Sequence, residues 1–261
     1  MNLLTFGGLI LTWGSLIAAI IMDGASLSSF MKLAPAILVF GGTFGATAVG
    51  FSMEEILALP KKTNRAFFTP KFDYEGVINS LVGFATKSRR DGVLALEDSI
   101  EAIKDDFMKK GLQMLVDGVD MDRLRDTLEQ DIASLKQWYK EGEEFWKQMG
   151  GFSPTLGIIG TVLGLIQMLS ELENAESMGP AIASAFIATM YGVSAANLLY
   201  LPLANKIKNV GTKDLLQKRI ILQGLLCMQA GISPRMTEQT LFSFLYPEIK
   251  HSEGKGSKAE K

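Results

Sequence analysis

Met149–Ser170 reads MGGFSPTLGIIGTVLGLIQMLS, 22 residues without one charged side chain. A helix needs about 20 mostly apolar residues to cross a hydrocarbon core of roughly 30 Å, so this stretch predicts a membrane span. Three more such windows occur at Leu3–Met22, Leu33–Met53 and Ser177–Asn205, with 20, 21 and 29 residues. Charge is gathered between them. Of 54 charged residues, 34 lie from Glu54 to Lys147 and 15 from Lys206 to Lys261. The pattern predicts an all-α, polytopic membrane protein with four transmembrane helices and a helical cytoplasmic domain. Residues 1–53 hold spans 1 and 2, and residues 54–148 form the cytoplasmic helical domain. Residues 149–205 hold spans 3 and 4, residues 206–250 a set of C-terminal cytoplasmic helices, and residues 251–261 a polar tail expected to be disordered.

Composition removes several function classes. The net charge is −2 and no basic tract is interleaved with aromatics, which argues against nucleic-acid binding. One cysteine, Cys227, and one histidine, His251, cannot build a Cys/His metal site or a Cys–His nucleophile pair. No glycine loop with its lysine stands ready for phosphate, and no hydrolase serine has its strand–turn–helix context. The expectation is a protein that is no enzyme and holds no resident cofactor or metal. Span 1 lacks a basic leader and a small-residue cleavage site before Asp23, so it reads as a retained helix.

Lysine and arginine near span ends set orientation, because cytoplasmic flanks carry the positive excess. Lys61, Lys62, Arg65 and Lys71 follow span 2, and Lys206, Lys208 and Lys213 follow span 4. The connection between spans 3 and 4 has Glu171, Glu173 and Glu176 and no cation. Both termini and the long middle segment are therefore expected inside. In that segment the apolar spacing predicts helices over 74–88 and over 92–109. A third starts near Asp120, with Leu124, Leu128, Ile132, Leu135 and Tyr139 on one face. No proline interrupts this helix before span 3, so it is expected to run on into the span. After span 4 a helix is expected over about 213–230. A shorter one should be opened by Ser233 as N-cap with Pro234 in the first turn.

Helices in lipid associate through small residues that let backbones approach. Span 2 carries Gly41-x-x-x-Gly45, which reads as packing inside a four-helix bundle. Span 3 carries Gly160-x-x-x-Gly164, and span 4 a stripe of Ala181, Ala185, Ala188, Gly192 and Ala196; these are dense enough to demand a closely packed helix, from this chain or another. Thr161 and Thr189 have two readings. Each hydroxyl either bonds its own i−4 carbonyl, or faces a pathway and helps ligate a hard cation through oxygen. Pro154 and Pro202, near the cytoplasmic ends of spans 3 and 4, are either local breaks or hinges. Ion carriers use intramembrane carboxylates or histidines, and these spans have none. If the chain moves ions, another polypeptide supplies the titratable group.

Three stretches carry a resemblance: SRRDGVLALEDSIE at Ser88–Glu101, SPTLGIIGTVLGLIQMLS at Ser153–Ser170 and MGPAIASAFIATMYGVSAANLLYLPLANKIK at Met178–Lys208. With the order of spans, they resemble the MotA-type flagellar stator subunits, including the sodium-type relatives PomA and MotP. The resemblance covers the chain to about Pro247. It implies a multi-pass protein of the bacterial inner membrane, assembled as a homopentamer around the membrane helices of a MotB-, PomB- or MotS-type dimer. That partner carries the essential aspartate. Cation flow then turns the ring, and cytoplasmic helices push on the rotor protein FliG. The family's rotor-facing charges fall on Arg89 and Glu97, with Arg90 and Asp98 as weaker neighbours. Eight residues separate Arg89 from Glu97, so both would share one face if a single helix ran through Asp91–Gly92. The family's membrane prolines fall on Pro154 and Pro202, and its sodium-type threonines on Thr161 and Thr189. Ala188 stands where some sodium-type members have a second threonine; the resemblance favours transported sodium, with the proton as the alternative. An envelope energiser of the ExbB or TolQ kind, usually with three spans, and a non-conducting membrane scaffold are the competing readings.

Overall fold

The computed structural model describes residues 3–170 and 175–245; the polar tail at 251–261 and Glu171–Asn174 lie outside the described residues. Every element in the described part is helical. The chain divides into two compact units, Met1–Pro70 with Trp138–Val210 and Lys71–Gln137 with Gly211–Lys261.

The first unit holds the membrane spans. Helix α1 is Leu3–Met22. Helix α2 is Leu33–Ala48, with a π turn at Ile37–Gly41. Helix α3 is Met53–Phe67, bent by 117° from α2. Span 2 thus ends five residues before the edge of its uncharged window. Gly50 and Phe51 leave the helix, and Ser52 opens the next one through a capping box. Its hydroxyl accepts from the Glu55 N–H, and the Glu55 carboxylate accepts from the Ser52 N–H at 2.7 Å. Helix α6 (Met121–Ser170) passes through Pro154 without a break, and its residues 138–170 belong to this unit. The expectation that it runs on into span 3 holds. Helix α7 covers residues 175–229 with a π turn at Ala196–Tyr200; its residues up to Val210 belong here. Among the described residues three helices are each long and apolar enough to cross a membrane, and α2 passes the same test only when taken together with α3 across the bend.

Span 2 packs through residues other than its glycine motif. A Cβ added at Gly41 or Gly45 would meet nothing within 4 Å, whereas Gly42 sits on Leu156 and Leu38 reaches Gly160. The motif therefore faces away from this chain's own helices, which corrects its assignment to internal packing. Helix α3 is clamped to α6 by a buried ion pair. Lys62, 2% exposed, donates to Glu141 at 2.6 Å, with its ammonium 6.0 Å from the centre of the Trp138 ring. One turn further along α6, the Trp146 indole N–H donates to Thr63 at 2.9 Å.

In the second unit α4 (Tyr74–Asp91), α5 (Asp106–Val116), α8 (Pro234–Phe242) and the neighbouring parts of α6 and α7 enclose one apolar core. Ile78, Leu81, Leu112, Leu128, Ile221 and Leu225 are fully buried in it. Ser233 caps α8 by accepting from the Met236 N–H, with Pro234 at the first position, as the sequence predicts. The helix expected over 92–109 does not form as one piece. Gly92, at φ +86°, ends α4 in a backbone conformation that a side chain would strain. A 3₁₀ turn (Val93–Leu96) and one helical turn (Glu97–Ile100) follow, and α5 begins afresh at Asp106.

Asp105 makes that new start. Its carboxylate caps α5 by accepting from the N–H groups of Phe107 and Met108, and it accepts from the Lys218 ammonium at 2.7 and 2.9 Å. Burial pushes this carboxyl up, but Lys218 and the two backbone donors outweigh burial and hold its pKa below the ordinary carboxylate value. A depressed folded pKa contributes stability above the unfolded value and loses it as pH falls through the folded one. Asp105→Ala should therefore cost about 2 kcal/mol near neutral pH. Asp105→Asn, which keeps the cap but not the charge, should cost less, and its deficit should shrink below about pH 4. Thermal melts of the detergent-purified protein between acid and neutral pH measure both.

Candidate functional site

Two places collect the candidate residues, one in each unit. In the first, α6 and α7 run antiparallel along their small-residue faces. Gly164 lies against Ala185, Gly160 against Ala188, Gly157 against Ala188 and Thr189, and Gly192 against Ser153 and Gly157. The demand for a closely packed helix is thus met inside the chain. At Gly192 an added Cβ would lie 2.5 Å from the Ser153 carbonyl oxygen, and at Gly160 2.5 Å from the Ala188 Cβ. Only hydrogen fits at these crossings. The Ser153 hydroxyl adds a bond to the Gly192 carbonyl at 3.0 Å.

This close approach brings Thr161 and Thr189 together, a contact that sequence spacing alone did not supply. Their hydroxyls are bonded to one another. Thr161 Oγ1 also lies 3.1 Å from the carbonyls of Gly157 and Ala185, and Thr189 Oγ1 lies 3.3 Å from that of Gly157. Each hydroxyl has one proton, so the two cannot satisfy all these acceptors at once. Gly157, four residues before Thr161, is the i−4 acceptor of the plain helical reading. The Ala185 carbonyl and the second hydroxyl make the cluster richer than that reading needs. Chemically it is a set of uncharged oxygens, the kind of ligand a hard cation takes, and the described spans offer no carboxylate beside it.

The prolines flank this cluster on one side of it. Pro154 precedes Thr161 by two helical turns and follows Ser153, which bonds α7. Pro202 lies 13 residues beyond Thr189, about 20 Å along the helix axis. Its ring removes one donor and crowds the carbonyl of Leu198. The π turn at Ala196–Tyr200 takes up that disturbance, so α7 continues past Pro202. Pro202 faces a groove with Leu4, Gly8, Asn197 and Leu203 rather than the threonine cluster. The buried face of α7 shows the same change of register. Ala188, Gly192, Ala196 and Tyr200 are buried at three successive steps of four residues. Each such step overshoots a 3.6-residue turn by about 40°, and a widened turn restores the register.

In the second unit, Arg89 and Glu97 do not share a helix. Arg89 lies in the last turn of α4, and Glu97 opens the turn beyond Gly92. What links them is a fold-back: the Lys87 ammonium donates to the Ser99 hydroxyl at 2.9 Å, two residues from each. Arg89, Glu97 and Asp98 are exposed, and Arg89 and Glu97 make no side-chain bond among the described residues. Arg90 is occupied by a bidentate pair with Asp91, at 2.8 and 2.9 Å. That pairing leaves Arg89 as the available cation of the corner.

Residues 99–219 match the MotA/TolQ/ExbB proton channel family. Motility protein A of Bacillus subtilis (strain 168) is 33% identical over 239 residues, 91% of this chain and 88% of that protein. This chain belongs to the motility protein A family. Solved structures agree across the same length. A chain of C. jejuni MotAB superposes with a TM-score of 0.88 at 30% identity, covering 95% of this chain and 97% of that one. A chain of the flagellar MotAB stator complex from Bacillus subtilis gives 0.85 at 32% identity, covering 94% and 96%. Membership in the motility protein A family agrees with the all-α reading and places the protein in a membrane.

Proposed function

We propose that this chain is the channel subunit of a flagellar motor stator, in which it surrounds a MotB-type partner dimer as a homopentamer and converts cation flow into torque on FliG. The observation that carries the reading is its agreement, over more than nine-tenths of its length, with chains of MotAB complexes. The chemistry is consistent with it: a conducting path with no carboxylate of its own needs a partner that brings one. The role is that of a channel and motor part and not of an enzyme. Both termini and residues 54–148 lie on the cytoplasmic side, following the lysines and arginines after spans 2 and 4. The carried ion is sodium, supported by the paired hydroxyls and carbonyls at Thr161 and Thr189; the proton is the alternative. Arg89 and Glu97 dock on the rotor, and Pro154 and Pro202 let the helices respond to the ion.

The test is swimming speed of a stator-less flagellated host carrying this chain with its cognate partner, titrated with sodium at fixed pH and membrane potential. Speed should rise and saturate with sodium, and Thr161→Ala should shift the half-saturating concentration upward. Speed that ignores sodium but follows pH would keep the motor and assign the proton. No swimming, with both proteins in the membrane, would overturn the motor reading. Arg89→Glu with Glu97→Lys should abolish torque while assembly with the partner persists. Both sites are exposed, so their cost in stability should stay within about 0.5 kcal/mol. Co-purification of the partner checks this.

A further inference from the structure

We propose that a basic cleft between α6 and α7 in the second unit binds a nucleoside polyphosphate. The inference depends neither on the motor reading nor on which ion the complex carries.

The cleft has a volume of about 520 Å³ and is lined on one side by Arg125, Glu129 and Lys136 of α6. Arg219 and Gln223 of α7 line it from the other side, with Phe244, two residues beyond α8. Its floor belongs to the apolar core: Ile132, Leu222 and Leu226 are all buried. Such a volume falls in the range of small-molecule sites, whose apolar walls carry a few polar groups. Three cations and one carboxylate line the cleft, in a chain whose net charge is −2. The cations are uncommitted. Arg125 comes no nearer than 4.0 Å to Asp122, which is 90% exposed. No hydrogen bond or ion pair joins Lys136, Arg219 or Glu129 to another described residue. A cleft dominated by one sign of charge over low-dielectric walls focuses its field and concentrates counter-ions.

The lining selects the class of anion. Arg125 and Lys136 are rooted eleven residues apart on α6, about 16 Å along its axis. An ion of sulfate size would occupy a fraction of that length and leave the apolar floor wet. Guanidinium groups take phosphate oxygens in pairs, so Arg125 and Arg219 suit a chain of phosphates. Glu129 stands between Arg125 and Lys136 on α6 and would repel a bare polyanion. Beside a nucleotide it has a use, because a carboxylate accepts hydrogen bonds from ribose hydroxyls. Phe244 supplies an aromatic surface for a base. The Gln223 amide can both donate to a base edge and accept from it. All these groups are side chains and none is a glycine loop, so no phosphate-loop motif marks the site in the sequence.

The experiment uses the full chain with its partner in lipid nanodiscs and measures ATP binding by equilibrium dialysis in magnesium-free buffer. Binding should saturate. It should be at least about tenfold tighter than that of inorganic tripolyphosphate, the equivalent of about 1.4 kcal/mol. Arg219→Gln should weaken ATP by a similar factor, and Arg219→Gln with Arg125→Gln should abolish saturation. Both arginines are exposed, so the fold should hold, with thermal melts as the check. Arg123→Gln, at an exposed arginine of α6 outside the cleft, should leave binding unchanged. Phe244→Leu should narrow the preference for ATP over tripolyphosphate. Absence of saturable ATP binding overturns the proposal, whether the cleft is empty or is covered by a second copy or an acidic peptide. ATP binding that persists in the double variant overturns it as well, and so does tripolyphosphate that binds as tightly as ATP.

Discussion

Gly192→Val should leave a host that depends on this chain non-motile, and Gly192→Ala should already slow it. The site for the new Cβ is 2.5 Å from the Ser153 carbonyl oxygen and within 3.2 Å of the Gly157 backbone. A clash against backbone has no rotamer to relieve it, so the helices must separate. Separation lengthens the Ser153–Gly192 hydrogen bond and parts Thr161 from Thr189. Overpacking of this kind costs about 1–3 kcal/mol, and on the proposed function the loss of the oxygen cluster would also lower conduction. Gly151→Ala is the control: nothing lies within 4 Å of its added Cβ, and alanine favours a helix. Melting temperature in mild detergent should fall for Gly192→Ala and hold or rise for Gly151→Ala. Swimming speed should follow the same order. Equal behaviour of the two variants would show that the seam tolerates a methyl group.

Glu141→Ala should be the most destabilising change outside the spans. It strands the Lys62 ammonium, which is buried at 2% exposure. Removing one partner of a buried ion pair costs about 3–5 kcal/mol, because the remaining charge stays buried. Glu141 keeps some exposure, which places the expectation at the lower end. Replacing both partners, as Lys62→Met with Glu141→Leu, should recover most of the loss, since apolar groups of similar size need no counter-charge. The stem of Lys62 is gripped closely by Gly142, whose added Cβ would lie 3.1 Å from the Lys62 Cβ. A methionine stem keeps that fit. Thermal melts of the four proteins close a double-mutant cycle. A coupling near zero would reduce the pair to a surface contact.

Much of the fold was legible because the bilayer imposes a one-dimensional rule. Four uncharged windows marked the spans, and Ser233–Pro234 marked the last helix. The misread places are those where a local cap overrides composition. Leu33–Met53 contains no charge, yet the helix stops at Ala48 because Ser52 and Glu55 start another. That Ser-x-x-Glu signature was readable, as was Asp105 ahead of α5. The continuous helix through Gly92 failed for a backbone reason, a positive φ that the apolar spacing on either side does not reveal. Lys61 and Lys62 show a harder limit. They are identical in composition and adjacent in sequence, and only the packing of α3 on α6 decides that one is buried and the other exposed. The threonine cluster falls between these cases. Both members could be named from the resemblance, but their contact depends on the antiparallel register of two glycine-rich faces.

That register has a mechanical consequence. A shift of α6 along α7 by one residue, about 1.5 Å, would carry the Ala188 methyl out of the notch at Gly160 and onto the neighbouring side chains. Shear between the two helices is therefore blocked at several notches at once, and close-packed seams have few intermediate positions. Over this stretch the pair behaves as a welded beam. Any stroke that begins at the threonines must tilt or turn both helices together.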